Sequence, residues 1–271
     1  MVNFPLLLEP EQLEKHLDDA GLLIVDVRNG DSYARGHIRG AINLAYADLI
    51  RATPPAMGLL PDIAQLSKVM AAIGLTPDRH VLAYDDEGNG RASRLLWTLD
   101  VLGHTQLSLL NGGLPAWLAE GRTLSRHTLP PTPSRYSACL ANPAAVADKD
   151  YILCRLGQTD LALLDTRSPG EYRGSDVRAA RGGHIPGAVN LNWTLAMDEQ
   201  RQLRCKADAT LRALLETIGV TPDKEVILYC QTHHRSAHTY LVLKHLGYPR
   251  VRGYAGAWSE WGNDPTLPVE Q

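Results

Sequence analysis

The sequence predicts an α/β fold that is built twice in one chain of 271 residues. The first observation is an internal repeat. IGLTPDRHVLAYD at 73–85 returns as IGVTPDKEVILYC at 218–230, with seven of the thirteen residues identical. The second observation is that short apolar runs alternate with helical patterns in each copy. Such alternation is typical of a mainly parallel sheet with helices on both faces.

A proline-rich stretch, RTLSRHTLPPTPSRYSA at 122–138, separates the two copies. Proline removes backbone donors and favours extended chain, so this stretch is interpreted as a semi-rigid surface linker. We expect an N-terminal domain at 1–124, a linker at 125–140 and a C-terminal domain at 141–271. Each domain is long enough to bury a core of its own.

The strands and helices are predicted from apolar runs and from helical spacing. The predicted strands are LLIVDV, HVLAYD and QLSLLNG in the first copy, and LALLD, EVILYC and RVRGY in the second. Helical periodicity extends from Ala92 to Leu102 and from Ala237 to Lys244. Gly103 and Gly247 are expected to end these two helices.

Several residues that recur in both copies are interpreted as structural. An Asp-x-Arg pair follows a strand in each copy and is expected to fasten loops, and a Gly-His-Ile segment is expected to form a turn. The aligned tryptophans are expected to pack in the core or between the two domains. These residues are Asp26 with Arg28, Asp165 with Arg167, His37 with His184, and Trp117 with Trp258.

Composition excludes several classes of protein. The net charge is −3 and the chain has no basic tract, so we expect no nucleic-acid partner. The N-terminus lacks a charged region before its short leucine run, and no apolar run approaches the roughly 18 residues of a membrane span. The four cysteines show no paired spacing, which favours reduced thiols in the cytoplasm. We therefore predict a cytoplasmic protein without membrane association.

One cysteine lies in a context that suggests chemical reactivity. Cys230 ends the apolar run EVILY and precedes a helix predicted to begin near Ser236, whereas Asp85 holds the matching position in the first copy. Functional sites of α/β sheets lie at the carboxyl ends of strands. Cys154, in YILCRL, is interpreted instead as a small core residue.

The loop after Cys230 is suited to an anionic sulfur. A thiol pKa of about 8.5 falls to roughly 3.5–7.5 beside cations or a helix N-terminus. Loop amides, the helix dipole and Arg235 all act in that direction, and they also attract an incoming oxyanion. Cys230 is therefore predicted as the catalytic nucleophile. The predicted substrate-binding residues of its loop are Gln231, Thr232, His233, His234 and Arg235.

Three alternatives remain open at this point. The first is a metal site, because zinc and copper bind side chains of the types found at Cys230, His233, His234 and His238. One tight loop cannot easily present all of these side chains to a single metal ion, so we predict no metal site. A cysteine-loop phosphatase or arsenate reductase needs a Cys-x5-Arg loop, and this loop is Cys-x4-Arg. A noncatalytic carrier that passes persulfide sulfur to a protein partner would use the same loop as an enzyme.

Over nearly its whole length the chain resembles the tandem-domain rhodaneses, which are thiosulfate sulfurtransferases. The resemblance rests on Asp-x-Arg with a following Tyr, on Gly-His-Ile-x-Gly-Ala in both copies, on Cys230 at its strand end, and on YAGAWSEW at 254–261. The loop Cys-Gln-Thr-His-His-Arg looks like that of certain bacterial rhodaneses. The resemblance implies an inactive N-terminal domain and a persulfide on Cys230.

The resemblance also implies substrates. We expect transfer of sulfane sulfur from thiosulfate to cyanide or another thiol, with 3-mercaptopyruvate as the alternative donor, a protein as a further acceptor, and no cofactor. Some family members carry a substrate-binding arginine where this chain has Glu171. Arg173 is the predicted substitute, with Arg178 and Arg181 as further candidates.

Overall fold

The computed structural model describes residues 4–128 and 130–271, and the chain forms two compact units. The units are not continuous in sequence. The first unit comprises the chain up to Leu49, Pro61–Asn142 and Asp198–Cys205, and the second comprises Ile50–Leu60, Pro143–Met197 and Lys206–Gln271. The boundaries predicted from the sequence differ from these because each copy gives one short segment to the other unit.

The first unit contains a five-stranded sheet in which all neighbouring strands are parallel, in the order β1-β7-β6-β2-β3. Its strands are β1 Leu7–Leu8, β2 Leu22–Asp26, β3 Ile42–Asn43, β6 His80–Tyr84 and β7 Leu107–Leu110. Its helices are α1 Pro10–Glu14, α2 Gly30–Arg35, α3 Ile63–Ala72, α4 Gly90–Val101 and α5 Gly113–Ala119, with a 3-10 turn at Tyr46–Leu49.

The second unit repeats this arrangement with a parallel sheet in the order β10-β9-β13-β14-β8. Its strands are β8 Val146–Ala147, β9 Leu161–Asp165, β10 Val189–Asn190, β13 Glu225–Tyr229 and β14 Val251–Tyr254. Its helices are α6 Lys149–Arg155, α7 Pro169–Tyr172, α8 Asp208–Thr217, α9 Arg235–His245 and α10 Ala257–Trp261, with 3-10 turns at Pro143–Ala145 and Trp193–Ala196.

Two short hairpins are the segments that the copies exchange. The first pairs β4, Arg51–Thr53, with β5, Ala56–Leu59, and its residues belong to the second unit. The second contains β11, Met197–Asp198, and β12, Arg204–Cys205, with a 3-10 turn at Glu199–Arg201 between them, and its residues Asp198–Cys205 belong to the first unit. Both hairpins follow a 3-10 turn at the same place in their repeat. Each repeat therefore contributes the same segment of its chain to the other unit.

The predicted fold class is confirmed, and so are the central strands and the two helix ends. The central strands are mostly apolar because both faces of a central parallel strand are buried. Gly103 and Gly247 follow helices α4 and α9 with φ values of +80° and +79°, a conformation that favours glycine. Each glycine lets the chain turn back toward the next strand.

The Asp-x-Arg pairs have the predicted structural role. In the second unit, Arg167 donates to both carboxylate oxygens of Asp165 and to the carbonyl oxygen of Gly183 at 2.7 Å. Arg28 makes the same bonds to Asp26 and Gly36 in the first unit. Both pairs are buried, and they tie the loop after a central strand to the Gly-His-Ile turn.

The Gly-His-Ile histidines lie in those turns, as the sequence predicts. His184 stacks on Tyr172 at 3.7 Å between ring centroids, and its Nδ1 lies 2.9 Å from the carbonyl oxygen of Tyr172. His37 stacks on Tyr33 at 3.9 Å in the first unit. A matching pair in the first unit, where Asp85 takes the place of Cys230, supports a role in folding.

One predicted residue pairing is wrong, and one predicted core residue is exposed. Leu114 and Trp258 occupy equivalent places, because the N–H of each donates at 2.9 Å to the carbonyl oxygen of the residue after a central strand. Trp117 is therefore equivalent to Trp261, three residues beyond the apparent alignment, and both are buried. Cys154 is exposed on α6, whose buried side chain is that of Ile152.

The stretch predicted as a linker belongs to the first unit. The backbone of Ser125 pairs with that of His37, and the N–H of Ser134 donates to the carbonyl oxygen of Ala71 at 2.8 Å. Ser67 accepts a further bond from the N–H of Ala138 at 3.0 Å.

None of the helices within residues 4–128 and 130–271 has both the length and the apolar character that crossing a membrane requires.

Candidate active site

Cys230 lies at the carboxyl end of the central strand of the second sheet. Strand β13 ends at Tyr229, and helix α9 begins five residues after Cys230, at Arg235. The side chain is 1% exposed. We call residues 230–235 the cysteine loop. Its position agrees with the general rule that sites of α/β proteins form where a parallel strand gives way to a helix.

The cysteine loop curls around the sulfur. His233 has a φ of +55°, a left-handed conformation that is uncommon for residues other than glycine. The turn that it makes brings the N–H of His234 to 3.3 Å from the Sγ of Cys230. The N–H groups of Thr232 and Ser236 and the hydroxyl of Ser236 also bond to the sulfur. The loop is thus a cradle of donors for an anionic atom.

Arg235 and these donors act on the pKa of the thiol in the direction opposite to burial. Burial alone would raise the pKa of Cys230, because a buried thiolate loses its hydration. The positive charge of Arg235 and the bonds from Ser236 and Thr232 outweigh burial, and the pKa of Cys230 is lowered. The sequence-based prediction of an anionic sulfur is supported by this balance.

Arg235 is held by a buried carboxylate. Its two terminal nitrogens donate to the two oxygens of Glu171 at 2.6 and 2.8 Å, and Glu171 is 1% exposed. Burial raises the pKa of Glu171, but the bonds and charge of Arg235 outweigh it and lower the pKa to about 2. The pKa of Arg235 is raised because Glu171 and Cys230 outweigh its burial. One guanidinium therefore serves two anionic partners.

Glu171 is positioned by the start of its own short helix. Ser168 caps α7 by accepting from the N–H of Glu171 at 3.2 Å, and Glu171 accepts from the N–H of Ser168 at 3.1 Å. This reciprocal capping box fixes the carboxylate that fixes Arg235. The carboxylate of Glu171 is thus the anchor of the arginine that lies beside the sulfur.

The structure does not bring Arg173 into the cysteine loop. Arg173 is exposed at the C-terminal end of α7. Arg178 comes nearer, since its Nε lies 3.7 Å from an oxygen of Glu171 and its carbonyl oxygen accepts from the Nε2 of Gln231 at 3.0 Å. Arg181 donates to carbonyl oxygens of the C-terminal segment, including that of Leu267 at 2.7 Å, and so has a structural role.

The loop histidines differ in their surroundings. His233 is buried and its Nδ1 lies 2.8 Å from the Oγ of Ser236, the same hydroxyl that faces the sulfur. His234 is partly buried, with its ring centroid 6.0 Å from that of Trp193. Burial, together with the nearby His234, lowers the pKa of His238 to about 4, so His238 is neutral near pH 7. Within the described residues, no cluster of His, Cys, Asp or Glu is arranged to hold a metal ion.

The equivalent loop of the first unit, residues 85–90, is closed by its own side chain. Asp85 is fully buried, and its carboxylate accepts from four backbone N–H groups at 2.7 to 3.0 Å. The donors are Glu87, Asn89, Arg91 and Ala92, the counterparts of Thr232, His234, Ser236 and Ala237. Burial raises the pKa of Asp85 despite these bonds. The same cradle exists in both units, and in the first a carboxylate fills it.

Sequence reasoning missed several residues that build the site. Ser236 was predicted only as a helix start, although its hydroxyl bonds to both Cys230 and His233. Ser259 lies in the YAGAWSEW segment, and its N–H donates to the carbonyl oxygen of Gln231 at 3.0 Å. Gly58, from the β4–β5 hairpin, packs against Thr232. No local pattern marks Gly58, because its partner is more than 170 residues away in the sequence.

Comparison with known proteins gives one family. The family model for the rhodanese-like domain matches residues 9–120 and again residues 148–264. A thiosulfate sulfurtransferase of Azotobacter vinelandii is 50% identical over 269 residues, which are 99% of this chain and 98% of the relative. A thiosulfate sulfurtransferase of Pseudomonas aeruginosa is 48% identical, with the same coverage.

Two further proteins extend the comparison. The sulfur carrier protein TtuD of Thermus thermophilus is 33% identical and is matched over 97% of this chain and 96% of its own. The crystal structure of an anaerobic ergothioneine biosynthesis enzyme from Chlorobium limicola superposes with a TM-score of 0.88. It covers 98% of this chain and 70% of that chain, at 23% identity, which establishes likeness of fold alone.

Proposed function

The chain belongs to the rhodanese-like domain family, and from that premise we propose that it is a thiosulfate sulfurtransferase acting through a persulfide on Cys230. Sulfur transfer is the activity named for its relatives of about 50% identity. The observation that carries the proposal is the buried thiol of Cys230, with its pKa lowered by the loop donors and by Arg235.

In the first step, the thiolate of Cys230 attacks the outer, sulfane sulfur of thiosulfate. A lone pair of the thiolate forms the new S–S bond, and the S–S bond of thiosulfate breaks with its electron pair leaving on sulfite. The product is a persulfide anion on Cys230, and total charge is conserved. A lowered thiol pKa raises the fraction of attacking thiolate at neutral pH.

In the second step, an acceptor attacks the outer sulfur of the persulfide. Cyanide gives thiocyanate, and the electron pair of the broken S–S bond returns to Cys230 as the thiolate. A thiol acceptor gives a new persulfide in the same way. The chemistry is carried by sulfur, so the reaction as proposed needs no cofactor. The N–H groups of Thr232, His234 and Ser236 stabilise the negative sulfur before and after transfer.

The neighbouring side chains have distinct roles in this proposal. Arg235 provides positive charge next to the sulfur for a donor dianion, while Glu171 keeps its guanidinium in place. Gln231, Thr232, His233 and His234 shape the loop that receives the donor. Exposed Arg173 acts at longer range by attracting the anion.

Two observations bear on acceptor and donor. The similarity to a sulfur carrier protein supports a protein thiol as a further acceptor beside cyanide. The absence of paired cysteines among the described residues supports a reducing, cytoplasmic location. The Cys-x4-Arg loop is one residue shorter than that of cysteine phosphatases, which disfavours phosphoryl chemistry. The compact, cationic loop favours the small dianion thiosulfate over 3-mercaptopyruvate.

A steady-state assay with cyanide as acceptor tests the proposal. We expect a higher kcat/KM for thiosulfate than for 3-mercaptopyruvate, and a double-reciprocal pattern of parallel lines, as a ping-pong mechanism requires. Higher kcat/KM with 3-mercaptopyruvate would overturn the donor assignment. If cyanide takes up no sulfur from either donor, the assignment as an enzyme is overturned. The alternative is then a carrier that passes sulfur from one protein to another.

A further inference from the structure

The β4–β5 hairpin is a part of the first repeat that lies in the second unit. Arg51 pairs with Leu59 and Thr53 with Ala56 in an antiparallel ladder. The segment Ile50–Leu60 belongs to the same compact unit as Cys230. The catalytic unit is therefore incomplete without eleven residues that the repeat lacking a thiol encodes.

Gly58 of this hairpin packs directly on the backbone of the cysteine loop. A Cβ atom at Gly58 would lie 2.2 Å from the carbonyl oxygen of Thr232, 2.7 Å from its carbonyl carbon and 2.9 Å from its Cα. Real Cβ atoms essentially never come within 3.0 Å of such atoms. All three are backbone atoms, so no side-chain rotation relieves the collision.

Hydrogen bonds connect the same hairpin to the loop by a second route. The N–H of Met57 donates to the Oγ of Ser259 at 3.1 Å. The N–H of Ser259 donates to the carbonyl oxygen of Gln231, and that of Trp258 to the carbonyl oxygen of Cys230, at 3.0 and 2.9 Å. The hairpin, the first turn of α10 and the cysteine loop are therefore joined by one continuous set of hydrogen bonds, formed by backbone groups and the hydroxyl of Ser259.

The contact point has a direct bearing on the sulfur cradle. The carbonyl of Thr232 begins the peptide that leads into His233, whose left-handed backbone directs the N–H of His234 to Sγ. A displaced Thr232 carbonyl rotates that peptide and moves the following N–H groups. The cradle depends on this one close approach, because amide donors lose effect steeply with distance and angle.

The opposite exchange shows that the arrangement is a feature of the repeat. The segment Asp198–Cys205 belongs to the first unit, where the N–H of Cys205 donates to the side chain of Asn111 at 2.8 Å. Gly112 there lies so close to the carbonyl oxygen of Gln202 that a Cβ would approach it to 2.7 Å. In each unit the received hairpin therefore contacts the segment around the start of the last helix of the repeat.

We propose that the β4–β5 hairpin is a positioning element of the catalytic site, with Gly58 as the positioning residue that sets the conformation of the cysteine loop. One test of this inference, kcat/KM for thiosulfate, rests on the proposed function. The other test, the pH midpoint of Cys230 alkylation, does not depend on it. It gives the repeat that lacks a thiol a defined part in catalysis. The hairpin provides the surface on which the cysteine loop packs, and this packing directs the N–H groups of the loop toward Cys230.

The variant Gly58→Ala tests this proposal because it adds one methyl group at a position without a left-handed φ. We expect the pH midpoint of Cys230 alkylation to rise, and kcat/KM for thiosulfate to fall by about tenfold to 100-fold, since small misplacements at a site have effects of that size. The melting temperature is to be measured alongside. Two controls are Thr53→Ala, exposed on the same hairpin, and Gly30→Ala, where the nearest atom is 3.7 Å from the added Cβ.

A second variant keeps the proposal testable if Gly58→Ala does not fold. Ser259→Ala removes the acceptor of the Met57 bond without adding volume, and we expect a smaller shift of the alkylation midpoint in the same direction. Wild-type alkylation profiles and wild-type kcat/KM in both variants would overturn the proposal. If the wild type fails to use thiosulfate but Gly58→Ala still shifts the alkylation midpoint, the donor assignment fails and the positioning role stands.

Discussion

The two loops at residues 85–90 and 230–235 have the same cradle of backbone donors and different occupants. In the first, two carboxylate oxygens of Asp85 accept from four N–H groups. In the second, one sulfur atom lies among the equivalent donors, and Arg235 stands where the first loop has Gly90. In the first loop the donors are thus satisfied by a carboxylate, whereas in the second the donors and Arg235 surround a thiol whose pKa is lowered. Two substitutions, Asp85 for Cys230 and Gly90 for Arg235, therefore separate a structural bond network from the proposed reaction site.

Removing the thiol should have the largest effect. Cys230→Ser is expected to reduce sulfur transfer to the rate without enzyme, because the alkoxide that would replace the thiolate is not accessible near neutral pH. Thiocyanate formation from thiosulfate and cyanide measures it. Replacing exposed Cys139 and Cys154 by Ser and buried Cys205 by Ala in one variant is the control, and should preserve most of the activity. Turnover by Cys230→Ser at a tenth of the wild-type rate would contradict the mechanism.

The next largest effect is expected at the buried ion pair. Arg235→Met leaves Glu171 buried without its partner, which should lower the free energy of unfolding by about 3–5 kcal/mol in urea titrations. It should also raise the pH midpoint of Cys230 alkylation. The double variant Arg235→Met with Glu171→Gln should recover much of the stability, because no unpaired charge remains, and keep the raised midpoint. A double variant with a wild-type midpoint would show that Arg235 does not act on the sulfur.

The same pair predicts how stability depends on pH. The pKa of Glu171 is lowered from its reference value of 4.5 to about 2, so its ionised form stabilises the fold. That stabilisation is present above about pH 4.5 and is lost as pH falls through about 2. We expect Glu171→Gln to flatten the decrease in unfolding free energy between those values. An identical acid profile in the variant and the wild type would contradict the assignment.

An intermediate effect, on stability rather than activity, is expected in the first loop. Asp85→Ala leaves buried N–H groups without acceptors, and we expect a loss of about 3 kcal/mol or more in unfolding free energy. The pH midpoint of Cys230 alkylation should stay unchanged. Asp31→Ala, an exposed substitution in the same unit, is the matched control. A stability loss below about 0.5 kcal/mol would mean that the carboxylate does not hold this loop.

The smallest effect is expected at the exposed arginine. Arg173→Ala should raise KM for thiosulfate two- to threefold with kcat unchanged, because a surface charge attracts the dianion without touching the reacting atoms. The difference should vanish at high salt, where such attraction is screened. Arg201→Ala is a control at another exposed arginine. A lowered kcat in Arg173→Ala would instead place its side chain at the sulfur.

Much of the fold followed from local patterns. The run EVILY identified a buried strand, and the break after it located Cys230, because strand and loop residues differ in apolarity. Cys154 was misjudged from its apolar neighbours. A helix turns about 100° per residue, so a residue two places beyond buried Ile152 faces away from the core.

Other parts of the site could not be predicted from the sequence. The pairing of Trp117 with Trp261 was hidden by a shared Ala-Trp dipeptide at a different register. The contacts of Gly58 with Thr232, and of Glu171 with Arg235, join residues far apart in the sequence and depend on how loops curl. Local propensity carries no information about which distant loop a glycine or a carboxylate will meet.

The proposed chemistry depends on an anionic sulfur on Cys230 that the cysteine loop stabilises. The most direct test follows the alkylation rate of Cys230 against pH in the variant lacking the other cysteines, after cyanide treatment, together with intact mass after addition of thiosulfate. We expect a midpoint well below the ordinary thiol value of about 8.5 and one added sulfur atom that cyanide removes. A midpoint at or above that value, with no sulfur adduct, would contradict it.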